Sequence, residues 1–142
     1  MSNSERLIEV LAEVFGAEGE IDVDDALIDR MLIALRPLTA PDLTGMMTGQ
    51  GAADRPLDGV EGLRTAWADW LDSFARVRLE FEGMEQVGEN VVVLARQIGT
   101  TRHGVEIEQP SAAVWKFRDG MLTRVEFHLD RAAALESARA AD

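Results

Sequence analysis

The chain has 142 residues, of which 26 are acidic and 14 are basic, so its formal net charge at pH 7 is −12. Because nucleic-acid phosphates bind basic patches, this acidic balance argues against a nucleic-acid partner. The length is that of one ordinary domain, which can bury a core without disulfides, and the sequence contains no cysteine. No apolar run approaches the roughly 20 residues of a membrane span, and the N-terminus lacks a signal-peptide pattern. We therefore predict a single cytoplasmic domain spanning residues 1–142, with no membrane contact.

Two amphipathic helices are predicted before any strand. Ser2 and Glu5 have the spacing of a capping box, and the apolar residues that follow fall on one helical stripe. A second apolar stripe follows Asp22 or Asp24, either of which can cap the helix. This second helix ends before Pro37, since the residue before a proline disfavours helical backbone.

Residues 37–59 are rich in Pro, Gly, Thr and Asp and show no sustained period, which indicates a long loop with at most a short strand near 43–47. A loop of this length is either a plain connection or a functional lid, and both interpretations stay open. From Val60 the pattern is helical again and places Trp67 and Trp70 on one apolar face. Both tryptophans fit either a packed core or the wall of a cavity.

Four alternating segments follow, at residues 76–87, 90–101, 104–118 and 121–129. The turns between them are short, so consecutive strands are expected to be antiparallel neighbours. The run from Val91 to Ala95 is apolar at every position, which is typical of a strand buried on both faces. Because helices on one face leave the other face to be covered, we predict a homodimer formed through the sheet. Asp130 then caps a C-terminal helix from Arg131 to Ala140.

The turn at 118–120 sets the register of the last two strands. We predict a three-residue loop, in which Gly120 takes the positive φ of a bulged turn. This loop pairs Ala113 with Val125 and keeps the bulky apolar residues of both strands on one side of the sheet. A two-residue Asp119-Gly120 turn would place them on opposite sides.

The order of helices and strands is that of a known fold. The matching segments are Gly59 with Trp67 and Trp70, VVVLAR at 91–96, HGVEIE at 103–108, AAVWKFRDG at 112–120 and FHLDRAAAL at 127–135. From Pro56 onwards the chain resembles the SnoaL-like branch of the nuclear transport factor 2-like superfamily. The resemblance implies an α+β fold, a cone-shaped curved antiparallel sheet with N-terminal helices packed over its concave face. This superfamily contains isomerases, dehydratases, cyclases, epoxide hydrolases and non-catalytic binding modules, so the fold alone does not select a function.

The resemblance also implies a cavity between the sheet and the helices, suited to a small apolar organic ligand. The residues predicted to line it and to bind the substrate are Trp67, Trp70, Phe74, Arg96, Trp115, Phe117, Val125 and Phe127. The place of Arg96 depends on the turn at 102–104. A tight turn places Arg96 inside the cone, whereas a bulged three-residue turn places Gln97 inside.

Few groups could perform chemistry in such a cavity. Sites of the ketosteroid isomerase type use a tyrosine and a protonated acid, and those of the scytalone dehydratase type use a histidine pair with tyrosine support; this chain has no tyrosine. The remaining scheme is a cofactor-free aldol-type cyclisation or isomerisation, in which one acid/base group moves a proton. The candidate catalytic residues are Asp130, His128 and Glu126, with Asp42 as a further acid.

Each candidate also has a structural interpretation. Asp130 stands where a helix cap is expected, and the predicted register places Glu126 and His128 on the convex face, where they fit polar contacts across a dimer interface. We predict no metal site, because there is no cysteine and no histidine pair at ligand spacing. The alternative function is a non-catalytic ligand-binding or protein-interaction module. An enzyme requires a desolvated ionisable group in the cavity, whereas a binding module can have an apolar floor.

Overall fold

The computed structural model describes residues 2–15, 20–47 and 56–140. Its four helices are α1 (Asn3–Phe15), α2 (Asp25–Leu35), α3 (Gly59–Asp72) and α4 (Arg131–Arg139). Side-chain caps begin three of them. The backbone N–H of Glu5 donates to the Ser2 hydroxyl at 3.2 Å, that of Leu27 donates to Asp24 at 2.8 Å, and Asp130 accepts from two N–H groups of α4. The cap of the second helix is therefore Asp24.

Seven strands form one sheet, in the order β1-β4-β5-β6-β7-β2-β3. Their bounds are β1 (Glu20–Val23), β2 (Thr39–Met47), β3 (Pro56–Asp58), β4 (Arg76–Val87), β5 (Asn90–Thr100), β6 (Glu106–Arg118) and β7 (Met121–His128). All neighbouring pairs are antiparallel except β2 and β7, which are parallel. The predicted α+β class, a curved and mostly antiparallel sheet with N-terminal helices over its concave face, is confirmed.

The segment predicted as a long loop is shorter than expected. Residues 39–47 form β2, which pairs with β7, and residues 56–58 form β3, which pairs with β2. The middle of the predicted lid, at 48–55, lies outside the described residues. A further strand, β1, occupies part of the acidic segment between the first two helices.

The predicted three-residue loop between β6 and β7 is wrong. Arg118 pairs directly with Met121, and the two turn residues, Asp119 and Gly120, have φ angles of 53° and 79°. Two positive φ angles are the mark of a type I′ turn, for which Asp-Gly is a preferred sequence. The register then shifts at Thr123, which lies opposite no residue of β6 although its hydroxyl donates to Lys116 C=O, and this bulge restores the pairing parity.

Because of this bulge, the predicted division of the strand faces holds although the turn differs. Trp115 lies opposite Val125, and Ala113 lies opposite Phe127. These bulky residues share the concave face and pack in the main core with residues of α1, α2 and α3. The bulge therefore keeps the bulky apolar residues of β6 and β7 on one side of the sheet, the effect that was expected of a three-residue loop.

The convex face is covered by the chain itself. Ala134 and Ala138 of α4 pack in a second buried cluster with Val92, Ala112 and Val114 of β5 and β6. The fully apolar run in β5 thus has α1–α3 on one side and α4 on the other. The argument for a partner subunit on this face is wrong, because it overlooked the small residues of α4, which let that helix lie close to the sheet.

Within the described part of the chain, none of the helices is both long enough and apolar enough to cross a bilayer.

Candidate functional site

A cavity of about 100 Å³ lies between α1, α2, α3 and the concave face of the sheet. Its wall is apolar over most of its area. Five of the lining residues come from the first two helices, a contribution that the sequence analysis missed: Leu11, Phe15, Leu27, Ile28 and Met31. The signal for them was present, because they lie on the apolar stripes of these helices.

All three tryptophans of the chain line this cavity. Trp67 and Trp70 project from α3, and Trp115 projects from β6. The ring of Trp67 meets that of Phe127 edge to face, with centroids 5.5 Å apart and an interplanar angle of 74°. The structure thus places these four predicted residues around one space.

Three other predicted lining residues belong to the core and do not reach the cavity. Phe117 and Val125 are buried near the turn between β6 and β7 and pack within the main core. Phe74, just beyond α3, packs against Gly99, where an added Cβ would stand 2.5 Å from the ring. Their common face with the cavity residues was predicted correctly, but position along the strand decides which of them line an open space.

The turn between β5 and β6 places Gln97, not Arg96, inside the cone. Thr101 N–H donates to Val105 C=O at 2.8 Å across a three-residue loop, the bulged alternative. Gln97 is 2% exposed and lines the cavity. Arg96 lies on the convex face, where its guanidinium contacts Glu108 at 2.9 Å. The prediction of Arg96 as a substrate-binding residue is therefore wrong.

The Gln97 carboxamide has a defined orientation. Trp70 Nε1 lies 3.1 Å from Gln97 Oε1. An indole N–H can only donate, so the amide must present its oxygen to Trp70, and its NH₂ group must point elsewhere. Among the described residues, no acceptor is found for that NH₂ group.

The other two indole groups also lack acceptors. Trp67 Nε1 and Trp115 Nε1 are buried, and neither has a hydrogen-bond partner among the described residues. A buried donor without a partner costs about 1–3 kcal/mol of stability. Two of the three tryptophans that line the cavity therefore hold buried N–H donors without an acceptor among the described residues.

Glu126 lies on the convex face, in a buried polar cluster beneath α4. Its Oε1 accepts from the Ser137 hydroxyl at 2.6 Å and lies 2.8 Å from His128 Nε2, while its Oε2 lies 2.5 Å from Arg124 Nε. Burial by itself would raise the pKa of the carboxyl, but the hydrogen bonds from His128, Ser137 and Arg124 and the charge of Arg124 together lower the pKa to about 2. Glu126 is thus a permanently charged group at neutral pH.

Of the three predicted catalytic residues, only His128 lines the cavity. Glu126 points to α4 and finds its partners within the chain, so the contacts predicted for it across a dimer interface are not needed. Asp130 caps α4, accepting from Ala132 N–H at 2.9 Å and Ala133 N–H at 3.2 Å, and is exposed. A cavity role for Glu126 or Asp130 is therefore wrong.

Among the described residues, His128 is the one ionisable side chain in the cavity wall. It lies at the end of β7, where the cavity wall meets the cluster under α4. Because an ionised Glu126 can only accept, His128 Nε2 carries the hydrogen of this bond. Asp42 is exposed on β2. Within residues 2–15, 20–47 and 56–140, no group of three or more His, Asp or Glu side chains is arranged to hold a metal ion.

Comparison with known proteins gives one matching family model and many solved structures of similar fold. A nuclear transport factor 2-like protein of unknown function from Burkholderia pseudomallei K96243 is 22% identical, with a TM-score of 0.66 and coverage of 99% of this chain and 100% of that chain. TerC, co-crystallised with polyporic acid, is 20% identical, with a TM-score of 0.65 and coverage of 97% and 98%. A provisionally assigned SnoaL-like polyketide cyclase from Jannaschia sp. CCS1 is 20% identical, with a TM-score of 0.64 and coverage of 99% and 93%. No curated protein matches the chain.

Identities this low establish a shared fold and no shared activity. The family model of the SnoaL-like domain, by contrast, matches residues 21–125, from β1 into β7. The matched segment includes three sides of the cavity: α2, α3 and the strands of its floor. On this match, the chain belongs to the SnoaL-like domain family.

Proposed function

We propose that this protein binds a compact, largely apolar organic molecule in the cavity between its helices and its sheet. The observation that carries the proposal is an apolar cavity of about 100 Å³ lined by all three tryptophans of the chain. Apolar cavities of about 150 Å³ hold one benzene-sized ring, so the space here fits a single ring better than a polycycle. TerC, a protein of similar fold, was co-crystallised with polyporic acid.

Intrinsic fluorescence tests this proposal directly. The chain has no tyrosine, and every tryptophan lines the cavity, so the emission reports on this space alone. We expect methylenecyclohexane, an apolar single-ring probe, to change the emission in a saturable manner. Ala113→Leu places a larger side chain on the cavity floor and is expected to abolish that change. Ala132→Leu, on the exposed side of α4, is the matched control and should bind as the wild type does. Absence of saturable binding to the wild type contradicts the proposal.

The second candidate function is cofactor-free acid-base chemistry on the bound molecule. One observation favours it: His128 lines the cavity, and its Nε2 is hydrogen-bonded to an ionised carboxylate. A histidine that is hydrogen-bonded to a carboxylate can act as a general base on carbon next to a carbonyl. Glu126 would orient the imidazole and stabilise its protonated form, as carboxylates do beside catalytic histidines.

Proton exchange separates the two candidates. The wild type is incubated with cyclohexanone in deuterated water, and deuterium incorporation next to the carbonyl is followed by NMR. The catalytic function requires faster exchange than buffer alone and a return to the buffer rate in His128→Gln. Equal rates for wild type and His128→Gln, with cyclohexanone bound in both, leave the protein as a binding module.

The predicted cytoplasmic location and the predicted homodimer are untested and stay part of this proposal. The convex face does not need a second subunit, because α4 covers it. Exposed apolar side chains do occur at the turn end of β5 and β6, where Val105 is 56% and Ile107 40% exposed. We place the self-association surface there.

A further inference from the structure

The orientation of the Gln97 carboxamide indicates which polar group a ligand in the cavity would need. This side chain is 2% exposed, lies on the concave face of β5 and lines the cavity. Trp70 donates its N–H to Gln97 Oε1 at 3.1 Å. Since an indole nitrogen has no lone pair to offer, the opposite orientation of the amide would set two donors against each other. The contact with Trp70 therefore fixes the NH₂ group as the free end.

The remaining polar groups of the wall leave that NH₂ group without an acceptor. The Ser111 hydroxyl donates to Ala95 C=O at 3.2 Å and His128 is hydrogen-bonded to Glu126, and among the described residues no hydrogen bond joins either of them to Gln97. The buried N–H groups of Trp67 and Trp115 add two more donors without acceptors among the described residues. An apolar ligand would leave the Gln97 hydrogens unpaired, whereas a ligand oxygen would pair them.

We propose that the ligand is an acceptor-bearing molecule of the ketone or related carbonyl class, whose oxygen is bound by Gln97 Nε2. This inference rests on the proposed binding function and specifies its substrate class. Gln97 determines specificity, and Trp70 is a positioning residue that acts through the Gln97 amide. A carbonyl oxygen fits because it accepts two hydrogen bonds and carries no hydrogen that would compete for Oε1.

Two probes of nearly equal shape test the inference. Cyclohexanone carries an acceptor oxygen, and methylenecyclohexane carries a CH₂ group in its place. Affinities of both are measured by tryptophan fluorescence for the wild type, for Gln97→Met and for Arg96→Gln. Gln97→Met keeps the length of the side chain and removes the amide, and we expect it to lower the ratio of ketone to hydrocarbon affinity about tenfold. Arg96→Gln, on the same strand but facing outward, should keep the wild-type ratio.

A second variant leaves Gln97 in place. Trp70→Phe retains an aromatic ring but cannot donate to Oε1, so the amide is free to turn. We expect it to lower the affinity ratio severalfold, by an amount smaller than Gln97→Met does. An unchanged ratio in Trp70→Phe overturns the positioning role.

NMR of the wild type supplies a readout that does not depend on any variant folding. The Gln97 side-chain amide signals of ¹⁵N-labelled protein are expected to shift on addition of cyclohexanone and to shift much less with methylenecyclohexane. If both probes bind and neither the shifts nor the affinity ratio depends on Gln97, this inference is overturned and the proposed binding function stands. If neither probe binds, the proposed function fails, and the inference fails with it.

Discussion

Glu126 illustrates how a buried charge is retained at the scale of a single residue. Its side chain is almost fully buried, and Arg124, His128 and Ser137 all contact its two oxygens. Lys116 Nζ lies 4.0 Å from Oε2. The pKa of about 2 lies below the ordinary value of 4.5, because these partners outweigh the opposing effect of burial. Folding therefore favours the ionised form of Glu126.

This preference predicts how stability depends on pH. The folded-state pKa of Glu126 is lowered, so its contribution is fully present above about pH 4.5 and is lost as the pH falls toward 2. The difference between the two pKa values corresponds to roughly 3 kcal/mol at neutral pH. Urea unfolding between pH 7 and pH 2 should show Glu126→Gln to be less stable at pH 7, with the gap to the wild type narrowing below pH 4.5.

Glu136→Gln is the matched control, since Glu136 is an exposed acid on α4. It should follow the wild-type curve. A gap between Glu126→Gln and the wild type that stays constant from pH 7 to pH 2 would contradict the assignment.

Substitution of Asp130 tests whether this acid, just after β7, caps α4 or takes part in catalysis. Asp130→Ala removes two hydrogen bonds to the first turn of α4 and should cost about 1 kcal/mol in the free energy of unfolding. Asp130→Asn keeps an accepting oxygen and should cost less. Both variants should bind methylenecyclohexane as the wild type does. A loss of binding or of proton exchange without a loss of stability would restore Asp130 as a site residue.

At the scale of elements, the contact between β5 and the segment just after α3 depends on the missing side chain of Gly99. The Phe74 ring occupies the space that a Cβ on Gly99 would need. We expect Gly99→Ala to destabilise the protein by about 1–3 kcal/mol, since the ring or the strand must move. In the Phe74→Ala background, the same substitution should cost much less, and thermal unfolding of the four proteins measures this coupling. Additive effects would show that ring and strand do not contact in solution.

Local chemistry explains which elements could be predicted from the sequence. The caps Ser2 and Asp130 and the apolar stripes of the helices are signals within a few residues, and the structure agrees with them. Strand β1 carries no such signal, because its four residues are held by pairing with β4, where Val23 lies opposite Val77. The bulge at Thr123 was equally invisible, since it corrects a register that only the assembled sheet defines.

The candidate site divides in the same way. Trp67, Trp70, Trp115 and Phe127 were predictable because residue spacing assigns a side chain to a face. The packing of α1 and α2 against the sheet determines how far the cavity extends. It therefore determines which residues on that face line the cavity. The sequence leaves Arg96 and Gln97 as alternatives for the inward position on β5. The length of the turn between β5 and β6 decides between them.

At the scale of the whole molecule, the exposed apolar side chains at one end of the sheet predict self-association. We expect a homodimer through the turn end of β5 and β6, where Val105 and Ile107 are exposed. Sedimentation equilibrium should show a dimer for the wild type and a monomer for Ile107→Glu. Because each chain carries a net charge of −12, dissociation should be easier at low salt. A wild-type monomer at every concentration and salt tested would remove the dimer from the proposal.

The parallel pairing of β2 with β7 has a consequence for synthesis of the chain. Thr44 lies opposite Arg124 in that pair. The ribosome therefore synthesises β2 about 80 residues before its partner β7. While the nascent chain grows on the ribosome, β2 lacks its parallel partner β7, and the strand edge that will pair with β7 stays unpaired. Closure of the cone is therefore a late event, which follows the emergence of β7 from the exit tunnel, and a ribosome stalled before that point should hold a chain without its cavity.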